Sequence, residues 1–198
     1  MQIIPLSEGV FTIDKTKVFV PFDLNTDDLQ KRATGSLLVE VQPFVVKTNN
    51  DILLLDAGLG FSRNGVLQLY ANLKANGIQP GDITKVLMTH LHKDHAGGIV
   101  YKNNQEKYQI TLPNAIFYVQ EKELNAALEN NSSSLNSEKL KYLKETKNLI
   151  QLKDKKGTID EYIHYERTEA HSQYHQVFWI YTENKIIFYG GDDAPQYQ

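Results

Sequence analysis

The chain contains the sequence THLHKDHAGG at residues 89–98, directly after a short apolar segment. Three of its six histidines and one carboxylate fall within this stretch, at His90, His92, Asp94 and His95. Imidazole nitrogens and carboxylate oxygens suit Zn²⁺, and three protein ligands with one open position form the usual catalytic zinc site. A polar loop without a function would rarely concentrate these residue types so closely. The stretch therefore predicts a metal site on a loop at the end of a buried strand.

The spacing of these residues allows them to share ions. Side chains at positions i and i+2 of a strand-like segment point to the same side, so His90 and His92 can converge on one ion. Asp94 and His95 lie just beyond, where the chain must turn, and can face a second ion. The two glycines that follow them provide the backbone freedom for that turn.

Composition narrows the class of protein. A length of 198 residues, of which 41% are hydrophobic and 23% charged, suits one globular domain over residues 1–198. The net charge of -3 disfavours nucleic acid as a partner. Neither a bilayer-spanning apolar segment nor an N-terminal signal region is evident, so we expect a cytoplasmic protein with no membrane partner. Because the chain has no cysteine, its metal ligands must be His, Asp or Glu.

Hydrophobic periodicity predicts strands at both ends of the chain and helices between them. Strands are expected at residues 8–20, 37–55, 83–88, 115–119, 161–165, 176–182 and 185–189, with helices at 66–77, at 121–129 and from Ser137 onward. Asn49 and Asn50 mark a hairpin turn. Ser137 is the expected N-cap of the last helix, whose buried face would extend to Ile150. This order indicates two sheets with helices packed outside.

The histidine stretch resembles the signature of the metallo-β-lactamase superfamily. The sequence LLLDAG at residues 53–58 resembles the family's strand that ends in Asp and Gly, and NGIQPGDITKVLMTH at 76–90 resembles its approach to the histidine loop. The resemblance covers residues 8–193. It implies the α/β (α+β) fold of that family, an αββα sandwich of two mixed β-sheets flanked by helices, with the metal site at the sheet edges.

The resemblance also implies ligands outside the histidine stretch. The family's Gly-His-Thr-Pro-Gly-His cluster corresponds to AHSQYH at residues 170–175, so His171 would complete the first metal site. Most of the residues around this histidine differ from the family pattern, so the local turn and the pocket wall can differ too. His175 is expected to be a supporting residue. His164, between two apolar residues, is expected to be structural.

A carboxylate follows the last predicted strand in the sequence YGGDD at residues 189–193. The resemblance implies that Asp192 bridges two metals, with Asp193 as an alternative one residue later. Asp56 is implied as a partner of a ligand histidine.

One part of the family pattern is absent. Dinuclear members contribute a last histidine well downstream of the bridging carboxylate, whereas this chain continues for five residues after Asp193 and has no further His. Three explanations are open: a domain shortened at its C-terminus, a second ion held by Asp94, His95 and Asp192 with water, or a single ion. We favour the shortened domain.

The resemblance implies a hydrolase that uses one or two Zn²⁺ ions, in preference to iron or manganese. Metal-activated hydroxide would attack an ester, lactone, thioester or amide carbonyl of a small molecule, and Asp94 would orient the hydroxide or shuttle its proton. Two alternatives remain: a catalytically weak metal-binding or scaffold protein of the same fold, and a phosphodiesterase. The substrate and the oligomeric state are not indicated.

Overall fold

The computed structural model describes residues 1–103, 105–130 and 132–193. The strands are β1 (Gln2–Pro5), β2 (Gly9–Ile13), β3 (Phe19–Phe22), β4 (Leu37–Val41), β5 (Phe44–Lys47), β6 (Ile52–Leu55), β7 (Ser62–Arg63), β8 (Val66–Leu67), β9 (Lys85–Leu87), β10 (Val100–Lys102), β11 (Tyr108–Ile110), β12 (Ile116–Gln120), β13 (Leu149–Leu152), β14 (Lys156–Ile159), β15 (Ile163–Arg167), β16 (Gln176–Tyr181) and β17 (Ile186–Tyr189). The α-helices are α1 (Gln68–Ala75), α2 (Lys93–Ala96), α3 (Glu121–Glu129) and α4 (Ser137–Lys144). Short 3-10 helices lie at Leu29–Lys31, Pro80–Asp82, Gly97–Ile99 and Gly191–Asp193.

A six-stranded mixed sheet forms the centre of the molecule, in the order β1-β5-β6-β9-β12-β13. Strands β6, β9, β12 and β13 are parallel neighbours, and β1 and β5 extend the sheet in antiparallel pairing. Both faces of β6 and β9 are covered, which explains why β6 is a continuous run of Ile and Leu and why Val86 and Leu87 of β9 are apolar. The predicted hairpin at Asn49 and Asn50 joins β5 to β6.

A four-stranded antiparallel sheet, in the order β14-β15-β16-β17, packs against the central sheet. Leu53, Leu55 and Leu87 of the central sheet share one core with Ile163 and Phe178 of this second sheet. Alternation along β15 explains the packing, because its odd-numbered residues are buried between the sheets and its even-numbered residues are only partly buried. The predicted two-sheet sandwich is confirmed.

The helices cover the other face of the central sheet. Leu73 of α1, Leu124 of α3 and Leu143 of α4 join a second core with Val86 and Phe117 of the sheet. Full burial of a leucine side chain stabilises the fold by about 1.5–3 kcal/mol. Smaller sheets, of order β3-β2-β4, β7-β8 and β10-β11, lie outside this arrangement.

Two local expectations for α4 were wrong. The N-cap is Asn136, whose side chain accepts a hydrogen bond from the Lys139 amide at 3.2 Å, rather than Ser137. Asparagine caps helices as well as serine does, so the two neighbours could not be separated by residue type. The helix ends at Lys144, and Ile150 lies on β13 with 43% of its surface exposed.

The ends of three neighbouring strands bring the motif residues together at one edge of the sandwich. Asp56 follows β6, the histidine stretch follows β9 and α3 follows β12, and these three parallel strands are neighbours. The carboxyl ends of parallel strands meet at the same sheet edge, which is where open α/β sheets bind ligands.

No helix within the described ranges combines the length and the apolar character needed to span a bilayer.

Candidate metal centre

Three imidazoles from two distant parts of the chain converge at this edge. His90 Nε2 lies 3.1 Å from His92 Nδ1, and His171 Nε2 lies 3.2 Å from the same His92 atom. The ring nitrogens of this triad all fall within 4.8 Å of one another. His90 is buried, His92 is half-buried and His171 is exposed, so the cluster opens toward solvent on the His171 side.

The triad fits a cation better than it fits hydrogen bonds among its own rings. In a neutral imidazole one nitrogen donates and the other accepts, so the single His92 Nδ1 cannot pair fully with two neighbouring rings. Burial lowers the pKa of His90 well below its ordinary value, and burial with the nearby His171 lowers the pKa of His92 to about 4. Neutral rings with converging lone pairs are the form that binds a metal.

A second group lies beside the triad. His95 Nε2 is 3.1 Å from Asp192 Oδ1 and 3.8 Å from Asp94 Oδ2, and His171 Nε2 is 3.4 Å from Asp192 Oδ2. His90, His95 and Asp192 also present ligand atoms within 4.8 Å of one another. Asp192 therefore contacts one histidine of the triad and one of the second group.

The carboxylates around His95 favour the positively charged form of its imidazole. Burial by itself would lower the pKa of His95, but Asp56 and Asp192 raise it well above its ordinary value. These carboxylates thus stabilise a positive charge at this position. A metal cation bound there would take the place of that charge.

Asp56 is buried and fixes two of the imidazoles. Its carboxylate accepts hydrogen bonds from His95 Nδ1 at 2.8 Å, from the Thr89 amide and hydroxyl at 2.8 Å each, and from the Tyr189 hydroxyl at 3.0 Å. The Thr89 hydroxyl, having donated to Asp56, accepts from His90 Nδ1 at 3.1 Å. Both His90 and His95 therefore direct Nε2 toward the cluster, and metal-binding histidines commonly have their other ring nitrogen held by a hydrogen bond in this way.

Three other residues considered in the sequence, Asp193, His175 and His164, make their contacts outside the two groups of ligand atoms. Asp193 Oδ1 is 3.1 Å from Nδ1 of the fully buried His175, so the doubled aspartate divides its contacts between the cluster and the interior. His164, on β15, packs against Tyr181 with ring centroids 4.5 Å apart and ring planes tilted by 49°.

Three contributors to the site carried no assigned role in the sequence. Thr89 and Tyr189 lie inside the quoted motifs, and their contact with Asp56 becomes visible only in the fold. Glu123 is distinguished by its burial, which the sequence does not indicate because this residue is one of several acids on a helix. Proximity to the motifs was the only signal available for the first two.

Residues 39–192 match the family described as the metallo-beta-lactamase superfamily. The chain belongs to this superfamily. The expected superfamily and its fold are thereby confirmed.

Several solved structures are similar to the chain. A probable metal-dependent hydrolase from Staphylococcus aureus has 22% identity and a TM-score of 0.70, over 96% of this chain and 72% of that one. AidC, a dizinc quorum-quenching lactonase, has 22% identity and a TM-score of 0.70, over 96% of this chain and 70% of that one. An N-acyl homoserine lactone hydrolase with its product at the catalytic metal centre has 20% identity and a TM-score of 0.66, over 96% of this chain and 74% of that one. At these identities the likeness shows the shared fold alone.

Proposed function

We propose that this superfamily member is a zinc-dependent hydrolase that cleaves an ester or lactone bond of a small molecule. The convergence of the His90, His92 and His171 nitrogens, with Asp192 beside them, carries the proposal. The donor set is imidazole and carboxylate only, which suits zinc. Thioesters and amides belong to the same carbonyl chemistry and fall within the proposed range.

In this proposal His90, His92 and His171 hold one ion, and His95, Asp94 and Asp192 contribute to a second. Zinc supplies Lewis acidity and lowers the pKa of a bound water from 15.7 to about 7. Asp94 has a partly exposed side chain whose Oδ2 lies 3.8 Å from His95 Nε2. A carboxylate there can accept a proton from the attacking water and return it to the leaving group, so Asp94 is the proposed catalytic residue.

Lactones are the first substrates to test. Similar folds include AidC, described as a quorum-quenching lactonase, and an enzyme described as an N-acyl homoserine lactone hydrolase. Lactone opening needs carbonyl polarisation and one proton transfer to the leaving oxygen, which the proposed ligands and Asp94 would provide. A panel of N-acyl homoserine lactones, simple lactones and aryl esters covers this class.

The test compares the wild type with His92→Ala and with the matched control His164→Ala, purified without added metal. Elemental mass spectrometry should find zinc in the wild type and the control and almost none in His92→Ala. Turnover of the lactone and ester panel should be lost together with the metal.

Several results would contradict the proposal. Full activity in His92→Ala would show that His92 is not a required metal ligand. Metal binding without turnover of any panel member would favour a metal-binding or scaffold protein. Hydrolysis confined to a phosphodiester such as bis(p-nitrophenyl) phosphate would favour the phosphodiesterase alternative.

A further inference from the structure

Glu123, in the first turn of α3, is a buried carboxylate that contacts both ligand-bearing loops. It is 6% exposed. Its Oε1 accepts a hydrogen bond from the Leu91 amide at 3.1 Å, and its Oε2 accepts one from the Ser172 hydroxyl at 3.0 Å. Leu91 lies between the proposed ligands His90 and His92, and Ser172 directly follows His171. One side chain thus joins the two chain segments that must meet to form the triad.

Both carboxyl oxygens of Glu123 act as hydrogen-bond acceptors. Burial raises the pKa of the Glu123 carboxyl above its ordinary value, against the lowering effect of hydrogen bonds from the Leu91 backbone, the Ser172 side chain and the Tyr174 backbone. All three partners act as donors, and an ionised carboxylate is acceptor-only. A glutamine of the same shape offers one acceptor oxygen and one N–H group, so at least one charge-assisted contact becomes a weaker neutral hydrogen bond, because the Ser172 hydroxyl can turn to accept from the amide.

Glu123 is also anchored independently of the site. It lies in the first turn of α3, whose Leu124 and Ala127 are buried in the core between the helices and the central sheet. The His90 segment follows the central sheet, whereas the His171 loop connects β15 to β16 of the other sheet. A fixed carboxylate between them therefore relates two loops that belong to different sheets.

We propose that Glu123 is a positioning residue that holds the His171 loop in register with the His90–His92 segment and thereby sets the affinity for the ion in the triad. It acts through backbone and hydroxyl contacts, without touching the ion or the substrate. The inference rests on the proposed metal-dependent function and goes beyond it by assigning a residue outside the ligand set.

The experiment measures zinc affinity by competition with a chromophoric chelator. Glu123→Gln should weaken the affinity about 10- to 100-fold, the range typical when a residue supporting metal ligands is replaced. Glu129→Gln, at the exposed end of the same helix, is the matched control and should bind zinc as the wild type does. Ser172→Ala removes one contact and should give a smaller loss in the same direction, which keeps the test available if Glu123→Gln does not fold.

A double-mutant cycle with His171→Ala separates positioning from a general loss of stability. If Glu123 acts by placing His171, its replacement in the His171→Ala background should change the affinity by less than about threefold, because the two effects are not additive. Additive losses, or wild-type affinity in folded Glu123→Gln or Ser172→Ala, would overturn the inference and leave the proposed function intact. Absence of zinc binding by the wild type would overturn both.

Discussion

At the scale of single residues, Asp56 shows how one buried carboxylate can organise a site without joining it. Its φ of 54° lies in the left-handed region, which places the side chain under the histidine loop directly after β6. The four hydrogen bonds that it accepts satisfy the buried charge. They also determine which nitrogen of His90 and of His95 carries the proton, and so which one is free for a metal.

Replacing Asp56 with Asn should reduce zinc affinity about 10- to 100-fold, because the amide turns a donor toward groups that already donate. Asparagine tolerates the left-handed conformation, so backbone strain does not explain the loss. Chelator competition on Asp56→Asn measures it, with the exposed Asp154→Asn as the control. Equal affinities in the two variants would show that Asp56 does not orient the histidines.

At the scale of elements, the loop after β6 and the turn after α2 are in close contact. The Ala57 amide donates to the His95 carbonyl at 2.7 Å, and the Gly98 amide donates to the Gly58 carbonyl at 3.1 Å. An added Cβ at Gly98 would lie 2.0 Å from the Ala57 carbonyl oxygen. Glycine is required here for space, in contrast to the turn freedom expected from the sequence.

Gly98→Ala should therefore destabilise the fold by about 3 kcal/mol, the upper end of the usual cost of overpacking, since neither backbone segment can shift without moving His95 or Asp56. The urea midpoint of unfolding measures the effect. Gly81→Ala is the matched control, because its Cβ meets only the end of the Asn114 side chain at 3.2 Å, and it should stay within about 1 kcal/mol of the wild type. A Gly98→Ala protein as stable as this control would contradict the close packing.

At the scale of the whole molecule, a second buried acid ties the N-terminal segment to the site loop. Glu8 is 2% exposed, and its Oε2 accepts a hydrogen bond from the Leu59 amide at 2.6 Å. Burial raises the pKa of Glu8 to about 7, against the lowering effect of backbone hydrogen bonds from residues 59–61 and of the nearby Lys139. Lys139 also donates to the Gly97 carbonyl, directly after α2.

The folded chain consequently binds a proton at Glu8 over a pH range in which the unfolded chain has released it. The pKa rises from an ordinary 4.5 to about 7 on folding, so stability should fall by about 3 kcal/mol as pH increases through this window and then level off. Glu8→Gln should remove this part of the slope. Urea unfolding between pH 4.5 and pH 8 compares the two, with the exposed Glu145→Gln as control. Parallel curves for wild type and Glu8→Gln would refute the assignment.

The sequence by itself determined the type of site and the framework around it. Spacing within residues 89–98 is a local property of the chain, and it sufficed to predict a histidine metal site after a buried strand. Alternation and apolar runs likewise predicted the two sheets. The start of α4 was missed because neighbouring polar residues of similar capping preference cannot be ranked from the sequence. Its end was missed because Ile150 continues the helical spacing of apolar residues although it belongs to β13.

Tertiary structure alone decided which atoms meet. His171 comes within 3.2 Å of His92 although 79 residues separate them, and the Asp192 carboxylate contacts one histidine of each group while Asp193 contacts His175. Glu8 and Glu123 look like ordinary surface acids in the sequence, yet both are buried beside site loops. Burial and long-range hydrogen bonds depend on how the sheets and helices pack, and no local pattern of residues encodes that packing.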